Sequence, residues 1–159
     1  MAHAQIKSKP KSTAKSKSDY VSIHFALHET GWAEPLDDGT YRIDNIPLVD
    51  HLNIDDVVTV TPGDPKCCAR PIVDQVLRSV YPVKVGIAYR PDAKGGYDKN
   101  YRLLRSAMAD IDAKLEGYAG GFAAVAAKDL AILEATLSTL PFRVEIESSI
   151  GDDTHGDDA

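Results

Sequence analysis

The chain is poor in residues that build covalent or metal-held frameworks. Of 159 residues only two are cysteine, Cys67 and Cys68, and they are adjacent. Neighbouring side chains of an extended segment point apart and there is no second pair, so neither a disulfide framework nor a four-ligand zinc site is expected. That usage agrees with a reducing compartment. Aromatic residues are also few, with one tryptophan and a share of 7% for Phe, Trp and Tyr together. No window approaches the roughly 20 consecutive apolar residues of a membrane-spanning helix, and the first residues lack the apolar core of a secretory signal. The expectation is a cytoplasmic protein with no membrane partner. Basic residues are in deficit, and the net charge is −6. The Lys-rich residues 1–18 contribute +5 and residues 151–159 contribute −4, so residues 19–150 carry −7. So acidic a body argues against a nucleic-acid partner for the folded part.

What is present is the composition of a globular protein, 43% hydrophobic and 26% charged. Residues 1–18, with Lys7, Lys9, Lys11, Lys15 and Lys17 among serines, have little to bury and read as a disordered, solubilising tail. No aromatic or arginine is interleaved there to grip a polyanion. Residues 151–159 read as a disordered acidic tail.

Between the tails the pattern begins as strands. Residues 20–28 alternate, with Val21, Ile23, Phe25 and Leu27 on one face. Further strands are predicted at 32–35, 40–46, 57–61, 72–77 and 83–89. Asp38-Gly39 tolerates positive φ and predicts a hairpin, while Pro47 ends the strand before it. A helix is predicted from the stripe Tyr97, Tyr101, Leu104, Met108, Ile111 and Leu115, with Gly117 as its C-terminal cap. A second spans about 129–140, stopped by Pro141, and a last strand covers 142–147. Gly120-Gly121 reads as a hairpin turn between the helices. The fold class expected is therefore α+β. A β-rich subdomain at 19–80, a small barrel or coiled sheet, precedes a ferredoxin-like βαββαβ unit at 81–150.

The elements Trp32-Ala33-Glu34-Pro35, Gly39-Thr40-Tyr41-Arg42-Ile43-Asp44-Asn45-Ile46-Pro47 and Asp56-Val57-Val58-Thr59-Val60 resemble a bacterial domain-of-unknown-function family, number 4265. The likeness covers about residues 20–60. It implies a shared fold and a bacterial source, and no catalytic role.

No constellation in the sequence requires chemistry. His24 and His28 would share a metal on a helix, but on a strand at ~3.3 Å per residue they stand roughly 13 Å apart. A nucleophilic Cys67 or Cys68 would need one of His24, His28 or His51 beside it in space. The acid pairs Asp37-Asp38 and Asp55-Asp56 read as turn residues, and Glu145 and Glu147 as the solvated face of the last strand. Gly95-Gly96 lacks the rest of a phosphate-binding pattern and reads as a flexible lead into the helix. Hence no catalytic residue, metal or cofactor is assigned. The binding candidates are Trp32, Glu34, Tyr41, Arg42 and Asn45, which combine apolar area with directed polar groups, against the favoured structural reading in which Trp32 and Tyr41 pack across the hairpin and Asn45 satisfies backbone groups at the turn before Pro47. The expectation is a non-enzymatic module that interacts with another protein or regulates it. The alternatives are a small-molecule sensor with a cleft between the subdomains and a Cys/His-dependent enzyme.

Overall fold

The computed structural model of the chain describes residues 19–26, 29–49, 51–66, 69–91, 99–118 and 120–149. Both tails, Leu27, His28, Cys67, Cys68, Gly95, Gly96 and Tyr97 lie outside the described residues, and so do the expectations attached to them.

Five strands, β1 (Val21–Ala26), β2 (Glu29–Pro35), β3 (Tyr41–Ile43), β4 (Val57–Thr61) and β5 (Ile72–Arg78), close into a barrel. They alternate in direction, and with five strands the closing pair must run the same way. β1 therefore meets β5 in parallel, where His24 pairs with Ile72 and donates its N–H to the Pro71 carbonyl at 2.8 Å. The alternation in β1 turns Ile23 and Phe25 inward, where they meet Ala33, Ile43, Leu52 and Val58. Gly31 makes room for this core. A Cβ there would strike the Phe25 ring and the Asn45 carboxamide oxygen.

The strand expected at 40–46 ends at Ile43 because the backbone leaves the barrel wall. Asp55, at φ +62°, brings the chain back so that its N–H reaches the Ile43 carbonyl at 2.8 Å. The intervening segment packs Leu52 and Val49 onto the barrel core. The Glu29 carboxylate holds that segment by accepting the N–H groups of Leu48 at 2.7 Å and Val49 at 3.0 Å.

The second half runs β6 (Val83–Tyr89), α1 (Lys99–Asp110), β7 (Lys114–Tyr118), β8 (Phe122–Ala127), α2 (Leu130–Ser138) and β9 (Val144–Ser149). Its four strands form an antiparallel sheet in the order β7-β8-β6-β9. One face carries Val85, Ile87, Ala123 and Val125 against Leu104, Met108, Leu133 and Leu137 of the helices. Asp129 caps α2, accepting the Ile132 N–H at 2.9 Å.

The expected fold class, α+β with a ferredoxin-like unit, does not describe the chain as a whole, although β6 to β9 do follow in the order strand–helix–strand–strand–helix–strand expected of residues 81–150. The described residues form nine strands and only two short helices, and the first five strands close on themselves, so the fold is mostly β. The helical content was overestimated at one identifiable place. The stripe that ran on to Leu115 and Gly117 breaks at Asp110, where Asp112 takes φ +53° and the Ala113 N–H reaches back to the Met108 carbonyl at 2.9 Å. This is a Schellman ending with aspartate in the usual glycine position. Leu115 and Gly117 consequently belong to β7, and Gly117 lies against the Tyr101 ring.

The opposite face of the sheet meets the barrel through the segment between β3 and β4. Ile46 and Tyr81 pack on Ala124 and Ala126. Beside them Lys84 is buried, and its Nζ donates to the carbonyls of Pro47 at 2.9 Å, Leu52 at 2.7 Å and Val49. Three acceptors match the three N–H bonds of an ammonium. Asn53, also buried, donates from its carboxamide to the Tyr81 carbonyl at 2.7 Å. Its backbone N–H meets the buried Asp56 carboxylate at 2.7 Å. Burial pushes the Asp56 pKa up. The Ser79 hydroxyl, the Asn53 amide and Lys84 pull it back, although Oδ1 has no partner in good hydrogen-bond geometry.

Replacing Lys84 with methionine keeps the apolar stem and leaves three carbonyls short of a donor. The expected loss is about 3 kcal/mol or more of unfolding free energy, measured by urea denaturation. Asp56→Asn should change the pH profile. Folded Asp56 holds its proton more tightly than the unfolded chain, so its contribution to stability falls as pH rises from about 3.8 through the raised folded value. Removing the carboxyl abolishes that fall, and the stability of the variant relative to the parent should climb across the same window. Parallel pH profiles would contradict the assignment.

Candidate functional site

The outer wall of β2 and β3 carries three of the five residues singled out in the sequence. Glu34 pairs across the strands with Arg42, while Ala33 faces Ile43 and Pro35 faces Tyr41. Trp32 lies one turn of the pleat before Glu34 on the same face, and the residue is 56% exposed. Its backbone is fixed on both sides. The Trp32 N–H donates to the Asn45 carboxamide oxygen at 2.9 Å, and the Trp32 carbonyl accepts the Asp44 N–H at 2.9 Å. The indole is thus an apolar surface on a backbone that has little freedom to move.

Next to it the guanidinium of Arg42 bonds to the buried Glu34 carboxylate. Arg42 Nε also lies 4.0 Å from Asp55 Oδ1, and Lys114 Nζ lies 3.8 Å from Asp55 Oδ2. The charges form a ladder, Glu34, Arg42, Asp55 and Lys114, that passes from the barrel wall to β7. Asp44 stands beside it, its pKa raised by burial and by the Asp55 charge and lowered in part by Arg42.

The other two residues do different work. Tyr41 turns to the inner side of the strand and packs at the edge of the barrel core. Asn45 uses its oxygen on the Trp32 backbone. Trp32 and Tyr41 therefore do not stack across the hairpin, because the register sets them three positions apart and on opposite faces. The five residues are not one surface. Trp32, Glu34 and Arg42 share a face, Asn45 braces it from behind, and Tyr41 belongs to the core.

A separate cavity of about 310 Å³ opens at the end of the second sheet, lined by Tyr89, Pro91, Tyr101, Tyr118 and the glycines at 117, 120 and 121. Gly120 and Gly121, at φ +82° and +84°, turn the chain beneath it, and a Cβ at Gly121 would strike the Tyr89 carbonyl. The Tyr118 hydroxyl has its pKa raised by burial and by the charges of Glu116 and Glu29. None of these tyrosines was singled out in the sequence. Tyr101 is recognisable only as a helix-stripe residue, and Tyr118 becomes a strand residue only once α1 is known to end at Asp110. Among the described residues no group of three or more His, Cys, Asp and Glu side chains gathers where one metal ion could be held. His24 lies on β1. No helix among the described residues is long and apolar enough to cross a membrane.

No family model and no curated protein matches the chain. Among solved structures it is similar to a hypothetical protein from Neisseria gonorrhoeae, with 15% identity over 82% of this chain and 92% of that one and a TM-score of 0.43.

Proposed function

We propose that the chain is a non-enzymatic interaction module that binds another protein through the outer wall of β2 and β3. The observation that carries this reading is the 56% exposure of Trp32 on a backbone hydrogen-bonded at both its N–H and its carbonyl. Tryptophan and arginine are the residues that most often dominate binding energy, and a side chain carried on a backbone already fixed leaves less freedom to be lost on docking. Trp32 with Arg42 has that composition, and Glu34 orients the guanidinium. Membership of the bacterial family 4265 and a cytoplasmic location are part of the proposal, supported by the Trp-Ala-Glu-Pro to Asp-Val-Val run and by the sparse cysteines.

A second reading is favoured by the tyrosine-lined cavity. Its 310 Å³ lies at the lower end of the range for small-molecule sites, and aromatic walls with a few polar groups are the usual lining. The sensor would then bind its ligand at the end of the second sheet rather than between the barrel and the sheet.

Trp32→Ala separates the two readings. The side chain is largely exposed, so unfolding free energy should change by no more than about 0.5 kcal/mol. Affinity capture from a bacterial lysate should nonetheless lose a stoichiometric protein that the parent retains. Capture that is unaffected by the substitution overturns the first reading. For the second, a metabolite that raises the melting temperature of the parent should fail to do so with Tyr118→Ala.

A further inference from the structure

We infer that the wall around Trp32 takes an arginine side chain of its partner protein, the guanidinium stacked on the indole and paired with the Asp44 carboxylate. This rests on the reading of that wall as a binding surface and names the chemistry it accepts. The β2–β3 register sets Ala33 against Ile43 and Glu34 against Arg42, and the Asp44 N–H carries it one residue further by reaching the Trp32 carbonyl at 2.9 Å. Asp44 therefore stands opposite Trp32. It alternates with the inward Ile43, as Arg42 does, so it shares the outer face with the indole, and both residues are exposed. Side chains opposed in this way start about 4.5–5.5 Å apart at Cβ. One planar cation can cover the ring and reach the carboxylate.

The charges already on the wall select a cation. Three carboxylates, Glu34, Asp44 and Asp55, face two basic groups, Arg42 and Lys114. Arg42 is committed to the buried Glu34 and leans toward Asp55, and Lys114 lies at Asp55 as well. Among the described residues no basic group stands within ion-pair distance of Asp44. Burial against its neighbours and the Asp55 charge push the Asp44 pKa up, and Arg42 offsets them only in part. A partner that covered the indole would cover this carboxylate too, and a wholly apolar one would leave it desolvated with no counter-ion, a cost set against whatever burying the ring gains. An arginine removes that cost. Its guanidinium stacks on an aromatic face while its edge donates to a carboxylate, whereas a lysine ammonium brings a point charge without the flat face. The −7 carried by residues 19–150 draws such a partner in at longer range.

Trp32 is the sole tryptophan of the chain, so its fluorescence reports on this wall alone. The experiment titrates the full chain with the peptide acetyl-Ala-Leu-Arg-Leu-Ala-amide and with the same peptide carrying citrulline, the neutral isostere, in place of arginine. The arginine peptide should change the emission and bind about tenfold or more tightly than the citrulline peptide. Asp44→Asn keeps the backbone N–H and should remove that preference. Asp44→Lys should transfer it to a peptide with glutamate at the same place, and circular dichroism verifies that both variants fold. Equal binding of the arginine and citrulline peptides, or a preference that survives Asp44→Asn, overturns the arginine assignment and leaves the wall as a binding surface. An arginine peptide that does not bind at all overturns the assignment too. The proposed function fails by a different result, partner capture that Trp32→Ala leaves unchanged, so the two failures are distinguishable. If one Asp44 variant misfolds, the other and the citrulline comparison on the parent still decide the matter.

Discussion

Three carbonyls from the segment between β3 and β4 converge on the Nζ of Lys84, and much of the architecture follows from that contact. The segment is irregular, so its backbone groups have no ladder to join. Buried carbonyls without donors would each cost of the order of 1–3 kcal/mol, and an ammonium taken out of water without partners would cost more. Each problem is the other's solution. Lys84 belongs to β6 of the second sheet, so the bond that settles the segment also fixes the barrel to the sheet. Asn53 and Asp56 extend the same logic to the carbonyl of Tyr81 and to the backbone at Asn53.

With the junction fixed from within, the outer residues are set in position. Asn45 is held at the start of that segment, and from there it reaches the Trp32 backbone. Asp55, at its far end, receives Arg42 and Lys114. Glu116 of β7 accepts the Ile46 N–H at 2.7 Å, adding a second tie between the halves. The exposed indole therefore sits on a wall whose geometry depends on a lysine buried on another sheet.

How much of this was legible in the sequence varied with the range of the cause. The Asp38-Gly39 turn, the stripe of α2 and the alternation of β1 are local, and they were readable because the residues that decide them are neighbours. The end of α1 was misread because Gly117 offered a familiar cap, while the actual cap is Asp112, a residue that tolerates positive φ less often. The candidate surface was misread for a different reason. Trp32 and Tyr41 look paired along the hairpin, and only the register shows that Tyr41 points inward. Lys84 was invisible. In an alternating strand a lysine between Val83 and Val85 has the pattern of a solvated face, and nothing nearby in sequence signals that a distant segment covers it.

The odd number of barrel strands has a mechanical consequence. Four of the five strand contacts are antiparallel, with two to five paired residues each, whereas among the described residues the closing seam is the single rung from His24 to Ile72. A closed surface with one short rung opens like a cuff at its clasp. Separation of β1 from β5 would break few backbone bonds while exposing Ile23 and Phe25, so β1 is the strand along which the barrel should begin to come apart, and its amides should exchange with solvent by such openings before those of β4.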